Sequence, residues 1–207
     1  VSDHTQGNWN GIVGRIELRS TPPVWIEDVQ LYPGTNHVMT MKVRIGNATG
    51  KTGHGKIEWT TRSEAEKKDW RADTGVGWSA AEWTDLTFPG VVVPDAWDEF
   101  SPNLVDFNLR ITLETGEADT RTLKVGRRDL GVQGTQITIN GRPVFLRGTL
   151  ECAIFPKTGH PPTDMGSWKK VLAAARAHGL NHLRFHSWCP PEAAFAAADE
   201  LGFYYQI

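Results

Sequence analysis

From Val105 to Glu114 apolar and polar residues alternate without a break. Phe107, Leu109, Ile111 and Leu113 fall on one parity, and Asp106, Asn108, Arg110, Thr112 and Glu114 on the other. Successive side chains of a strand point to opposite faces, so strict period-two alternation predicts a strand with one buried and one wet face. That is the pattern of an antiparallel sandwich. It recurs from Met39 to Ile45, where Met39, Met41, Val43 and Ile45 oppose Thr40, Lys42 and Arg44. Gly and Pro at Pro22-Pro23, Pro33-Gly34, Gly50, Gly75, Gly77, Pro89-Gly90, Pro94 and Gly116 keep the strands short. About 105 residues of this kind, from Pro22 to Gly126, match the size of an immunoglobulin-like sandwich. The Cys…Trp…Cys pattern of antibody domains is missing from it.

Near Gly131 the character changes. Thr135 to Leu146 reads as strand, Asn140-Gly141 turn, strand, the strongest short hairpin signal. Thr163 or Asp164 is placed to cap a helix whose apolar face is Trp168, Val171, Leu172 and Ala175, with Gly179 just past its end. His182 to Phe185 reads as a short strand. Pro190 and Pro191 then lead into a second helix from Ala193 to Leu201, ended by Gly202, and Phe203 to Ile207 is another apolar strand. The order β-α-β-α-β implies parallel strands joined by helical crossovers. Three such strands leave two open edges, which natural sheets avoid. The expectation is therefore a section of a longer barrel or open sheet; a compact three-stranded sheet resting on the sandwich is the alternative.

Composition narrows the partners. Among 207 residues, 22 Lys and Arg stand against 24 Asp and Glu, a net charge of −2 without a basic stripe. That argues against nucleic acid or an anionic membrane as the main partner. No apolar run approaches the roughly 18 residues of a transmembrane helix. Cys152 and Cys189, the two cysteines, are too few for a disulfide framework and too far apart for a zinc pair. His178, His182 and His186 are spaced by four, but Gly179 ends the helix between them, so no helical metal face is expected. Gly53-His54-Gly55 and Gly75-Val76-Gly77 have no helix after them and signal no dinucleotide. Six of the nine tryptophans (Trp25, Trp59, Trp70, Trp78, Trp83 and Trp97) fall in the sandwich. They read as core packing rather than as a sugar-binding platform.

Three stretches together resemble glycoside hydrolase family 2, the group of β-galactosidases, β-glucuronidases and β-mannosidases. His4-Thr5-Gln6-Gly7-Asn8-Trp9 through Leu18 is similar to the last strand of that family's jelly-roll sugar-binding domain. Trp97 through Phe100-Ser101-Pro102-Asn103-Leu104 resembles the "W-x-x-x-x-P-x-L" segment of its immunoglobulin-like domain. Val125-Gly126-Arg127-Arg128, followed by Ile139-Asn140-Gly141-Arg142-Pro143-Val144-Phe145-Leu146-Arg147-Gly148, resembles its "G-F-R … N-G-K-P-V-F-L-R-G" entry into the catalytic barrel. The resemblance implies an all-β immunoglobulin-like sandwich followed by the truncated start of a TIM (β/α)8 barrel. Its divisions would be 1–21, the end of the jelly roll, 22–130, the sandwich, and 131–207, the first βαβαβ of the barrel.

The resemblance further implies a retaining hydrolase of terminal β-linked sugars, working without a cofactor or metal. Its partners would be a carbohydrate substrate and the missing remainder of the chain. Retention needs two carboxyls about 5 to 5.5 Å apart. In the family both are glutamates on later barrel strands, so these residues alone are expected to be inactive. The substrate rim is what remains, because barrel sites form at the C-terminal ends of strands. Glu151 follows the first strand; Arg184, His186 and Trp188 lie at the end of the second. Arg184 suits a bidentate pair with a glutamate, His186 a sugar hydroxyl, and Trp188 the apolar face of a pyranose. Each has a structural alternative: a barrel ion pair for Arg184, a satisfied core histidine for His186, core filling for Trp188, a solvated loop carboxylate for Glu151. The motif after the second strand, Arg184-Phe185-His186-Ser187-Trp188-Cys189-Pro190, departs from the family's "R-x-S-H-Y-P", and the particular sugar stays open. The competing reading is a non-catalytic carbohydrate-binding or scaffold protein.

Overall fold

A computed structural model describes residue 12 and residues 14–34, 38–63 and 66–207. The described residues form two compact units: one within residues 19–97 and 103–129, the other of residues 98–102 and 130–207 together with the described residues up to Leu18. Most of the His4–Leu18 motif lies outside the described residues, and the described ones up to Pro23 form no strand.

The first unit is an immunoglobulin-like β-sandwich of seven antiparallel strands. One sheet has the order β1-β2-β5, with β1 at Val24–Pro33, β2 at Val38–Asn47 and β5 at Trp83–Val92. The other has the order β4-β3-β6-β7, with β3 at Gly53–Ser63, β4 at Lys68–Trp78, β6 at Val105–Leu113 and β7 at Ala118–Val125. The alternation predicted for β2 and β6 is the packing observed. Met39, Met41, Val43 and Ile45 are buried, as are Phe107, Leu109, Ile111 and Leu113. They meet Ile26 and Ile57 in one core between the sheets. A bulge interrupts β1 between Ile26 and Asp28, and Ile26, still paired with Ile45, turns its other main-chain edge outward because β1 is the edge strand of its sheet. The β7 side chains meet that edge: Asp119 accepts from the Ile26 N–H at 2.9 Å, and Arg121 donates to its carbonyl at 2.5 Å.

Two of the motif residues prove to be partners. Trp97 is buried, and its N–H donates to the Arg127 carbonyl at 2.8 Å. A Cβ on Gly126 would sit 2.9 Å from the Trp97 ring and 3.1 Å from Leu104. Glycine is the residue that lets the indole lie flat there. Arg127 is buried and donates from Nε to the Val93 carbonyl at 2.8 Å. Arg128 stacks over the Trp97 ring, 5.1 Å from its centre.

The second unit opens with a small antiparallel sheet of β8 (Leu130–Gln133), β9 (Gln136–Ile139) and β10 (Arg142–Pro143), in the order β10-β9-β8. Asn140 and Gly141 join β9 to β10 with φ of 52° and 75°, the paired left-handed residues of a two-residue hairpin. Next comes a parallel sheet, β11 (Gly148–Glu151), β12 (His182–Phe185) and β13 (Tyr204–Gln206), connected through α1 (Met165–Ala177) and α2 (Glu192–Leu201). Asp164 caps α1 by accepting from the Ser167 N–H at 2.8 Å. Gly179 follows it at φ 77°, and Gly202 ends α2 at φ 67°. Trp168 and Leu172 of α1, Ala194, Ala197 and Ala198 of α2, and Leu183, Phe185 and Phe203 form the core on the helical side.

Asn181 ties the entry to β11 and β12 together. Its main chain donates to the Arg147 carbonyl at 3.0 Å, and its Oδ1 accepts from the Arg147 N–H at 2.8 Å. Its Nδ2 donates to the Phe145 carbonyl at 3.1 Å and to Glu99 at 2.5 Å. Glu99 belongs to the 98–102 segment, a stretch interrupting the sandwich sequence but grouped with this unit. There Asp98 pairs with Arg142.

Candidate functional site

The three parallel strands run in register, Leu150 opposite Arg184 opposite Gln206, and Glu151 opposite Phe185. Their C-terminal ends therefore lie side by side. Each exit is a sharp turn. Ala153, two residues past β11, has φ 58°, and Ser187, two past β12, has φ 61°. A non-glycine residue in the left-handed region costs on the order of 1–3 kcal/mol and persists where the surroundings hold it.

Those turns aim polar groups at Glu151. The Ala153 N–H donates to both carboxylate oxygens, at 3.0 and 3.1 Å. The His186 N–H donates to the Glu151 main-chain carbonyl at 2.9 Å, and the Trp188 indole N–H to the same carbonyl at 3.3 Å. Half-burial pushes the Glu151 carboxyl above the usual range; the N–H groups of Ala153 and Ile154 and the Trp188 indole oppose that rise. The Trp188 ring stands edge-on to Phe185, centres 5.2 Å apart, and beside Trp168 at 6.3 Å. It is half-buried and fixed by the helical-side core.

Arg184 is apart from this group. Along β12, Leu183 and Phe185 face the helices, so Arg184 takes the opposite face with His182. It is exposed and makes no side-chain hydrogen bond or ion pair among the described residues. Of the four residues singled out from sequence, the structure brings together Glu151, His186 and Trp188 and leaves Arg184 on the adjoining wet face.

That face also holds residues the sequence reading passed over. His182 is half-buried, and burial lowers its pKa. A Cβ on Gly148 would overlap its Nδ1, so the first residue of β11 must be glycine for His182 to fit. Tyr204 is buried and Gln206 exposed along the same side of β13. The two-residue period of β12 already placed His182 with Arg184. The Ala153 turn had no such signal, since alanine is not a residue that marks left-handed backbone.

No family model matches the chain. Its fold is the one found in glycoside hydrolase family 2. The family 2 member from Bacteroides cellulosilyticus superposes on 89% of the chain with a TM-score of 0.75 at 21% identity, the match covering 26% of that protein. The β-galacturonidase of Eisenbergiella tayi, solved with galacturonate, gives 0.75 over 89% of the chain at 18% identity and 33% of its own length. In sequence, a β-galactosidase of Pseudoalteromonas haloplanktis is 25% identical over 223 residues, 94% of this chain. The chain spans 19% of that relative's length. Sequence relatives and structural neighbours thus agree with the resemblance to family 2 carried by the three motifs.

Proposed function

We propose that these residues are the section of a retaining β-glycosidase that joins its sugar-binding front to its catalytic barrel. Residues 1–21 end a jelly-roll domain, 22–130 are the linking sandwich, and 131–207 are the first βαβαβ of a (β/α)8 barrel. The observation that carries this reading is the parallel sheet. Among the described residues it has helices on one face only, and its polar groups gather at the C-terminal strand ends, where barrel enzymes place their chemistry. The likeness to a β-galactosidase along 94% of the chain supports the same assignment.

In this reading the substrate is a terminal β-linked sugar of an oligo- or polysaccharide. The acid/base and nucleophile carboxylates come from later barrel strands, and the reaction runs through a covalent glycosyl-enzyme without a cofactor. Trp188 stacks on the sugar ring, and His186 and Glu151 bind its hydroxyls. Arg184 faces the barrel interior, where its guanidinium orients a catalytic glutamate by a forked ion pair.

The test is hydrolysis by the full-length protein of nitrophenyl β-galactoside, β-glucuronide, β-galacturonide and β-mannoside, with the product anomer read by NMR. Turnover of one of them with retention is expected, and Arg184→Ala should lower kcat/KM by about a hundredfold, as for loss of a transition-state contact. The 207 residues alone should release no nitrophenol. Sugar binding without turnover by the full-length protein, or an inverted product, overturns the reading; the first outcome would make the protein a carbohydrate-binding module.

A further inference from the structure

The outer face of the β1-β2-β5 sheet does not look like an ordinary wet face. Its residues lie in rows across the three strands. Trp25, Gly46 and Trp83 are in register, then Asp28, Arg44 and Asp85, then Gln30, Lys42 and Thr87. Tyr32, opposite Thr40, closes the far end. Trp83 is 51% exposed and Tyr32 44%. The sandwich tryptophans are thus not all core. Trp78 and Trp97 are buried and Trp59 packs on the core edge, whereas Trp25 and Trp83 sit outside.

Gly46 shapes the first row. A Cβ there would overlap the Trp25 ring, so the missing side chain lets the indole lie across the sheet toward Trp83. The row spans two strand spacings, about 10 Å. The polar rows between the aromatic ends are held in place by one another. Arg44 forks onto Asp85 at 2.8 and 2.9 Å, and its guanidinium lies 5.8 Å from the Trp83 ring centre. Gln30 donates to Asp28 at 2.7 Å and accepts from the Tyr32 hydroxyl, while Lys42 sits 5.0 Å over the Tyr32 ring. Asp28, Gln30, Lys42, Arg44, Asp85 and Thr87 line a groove of about 350 Å³, within the size range of small-ligand sites.

We propose that this outer face is a second, non-catalytic binding site for a neutral β-linked oligosaccharide. A pyranose has apolar C–H faces and a rim of hydroxyls. It therefore matches aromatic rings next to planar forks of donors and acceptors already fixed in direction. Fixing them in advance removes part of the ordering cost of binding. Charge turns away an anion: the lining cations Lys42 and Arg44 are offset by Asp28 and Asp85, and Glu27, which accepts the Trp25 indole N–H, adds a further negative charge beside Arg44, leaving nothing to attract a phosphate or uronate. The groove and its chemistry stand without the glycosidase reading; the choice of a β linkage rests on it.

Calorimetric titration of the protein with cellotetraose, mannotetraose and β-1,4-galactotetraose tests the assignment, alongside the indole NMR signals of Trp25 and Trp83. Binding of one of these neutral sugars is expected, with both indole signals moving and with Trp83→Ala weakening the complex roughly tenfold, as for one lost stacking contact. Arg44→Ala should weaken it as well, and the circular dichroism of both variants should match that of the parent. The assignment is overturned if no tetrasaccharide binds, or if binding survives Trp83→Ala and is abolished by Arg184→Ala instead. The titration needs no turnover, so failure to hydrolyse nitrophenyl glycosides would sink the enzymatic reading and leave the groove standing.

Discussion

The sandwich and the parallel unit bury their cores in different ways. In the sandwich every strand gives one parity to a shared interior, and Ile26, Met41, Ile45, Ile57, Phe107, Leu109 and Ile111 are wholly enclosed by the two sheets. Among the described residues the parallel unit closes only the side its helices cover. Trp168, Leu172, Phe185 and Phe203 are buried there, but the other side leaves Leu150 50% exposed and Arg184 and Gln206 in water. Parallel sheets are normally buried on both faces. Among the described residues a complete antiparallel core and a half-covered parallel one therefore coexist, and in these 207 residues taken alone the second should be the looser.

The largest effect tests that difference directly. Phe107→Ala and Trp168→Ala each empty a fully buried site and should each cost about 3–5 kcal/mol. Amide exchange should show the Trp168 variant opening β11 to β13 alone, while the Phe107 variant loses protection across the whole sandwich. Equal protection of the two regions in the parent protein would break the comparison. A smaller loss is expected from Gly202→Ala. Its φ of 67° strains any side chain by about 1–2 kcal/mol, and its Cβ would meet the Glu99 carbonyl at 2.8 Å. Chemical denaturation should place that loss in the parallel unit's transition and leave the sandwich's unmoved.

Asp164→Ala removes the cap of α1 and should cost about 1 kcal/mol, read as a lower melting temperature that Asp164→Ser largely restores. The smallest effect is a pH dependence. Burial holds the His182 pKa below its ordinary value near 6.5, so the unfolded chain takes up the proton first as pH falls. The parallel unit's stability should be level above that ordinary value. It should decline from there down to the lowered one, where the loss levels off. Melting curves from pH 7.5 to 5 should show this decline, and His182→Gln should flatten it.

Much of this was legible because local rules and tertiary packing agree. The alternation of β2 and β6, the Asn140-Gly141 turn, and the Asp164 and Gly179 boundaries of α1 all depend on neighbours a few residues away. The Trp83 parity was also visible, since Leu86 and Phe88 fall on the opposite one and pack inward. Treating tryptophan by type rather than by parity hid it. The site was harder to read. Glu151 acquires its surroundings from a turn at Ala153 and from residues 35 and more positions along the chain, and nothing in Gly148-Thr149-Leu150-Glu151-Cys152 announces them.

The 98–102 segment bears on how a molecule like this is inherited. Its five residues are encoded inside the sandwich, yet Glu99 serves Asn181 and Asp98 serves Arg142, both far downstream. Recombination that exchanged the sandwich as one continuous piece of gene would carry those five residues with it and supply the recipient's second unit with a foreign loop. Successful exchanges between relatives should then be those in which Glu99 and Asn181 travel together. The boundary between the two units in sequence is thus not the boundary between them in contacts.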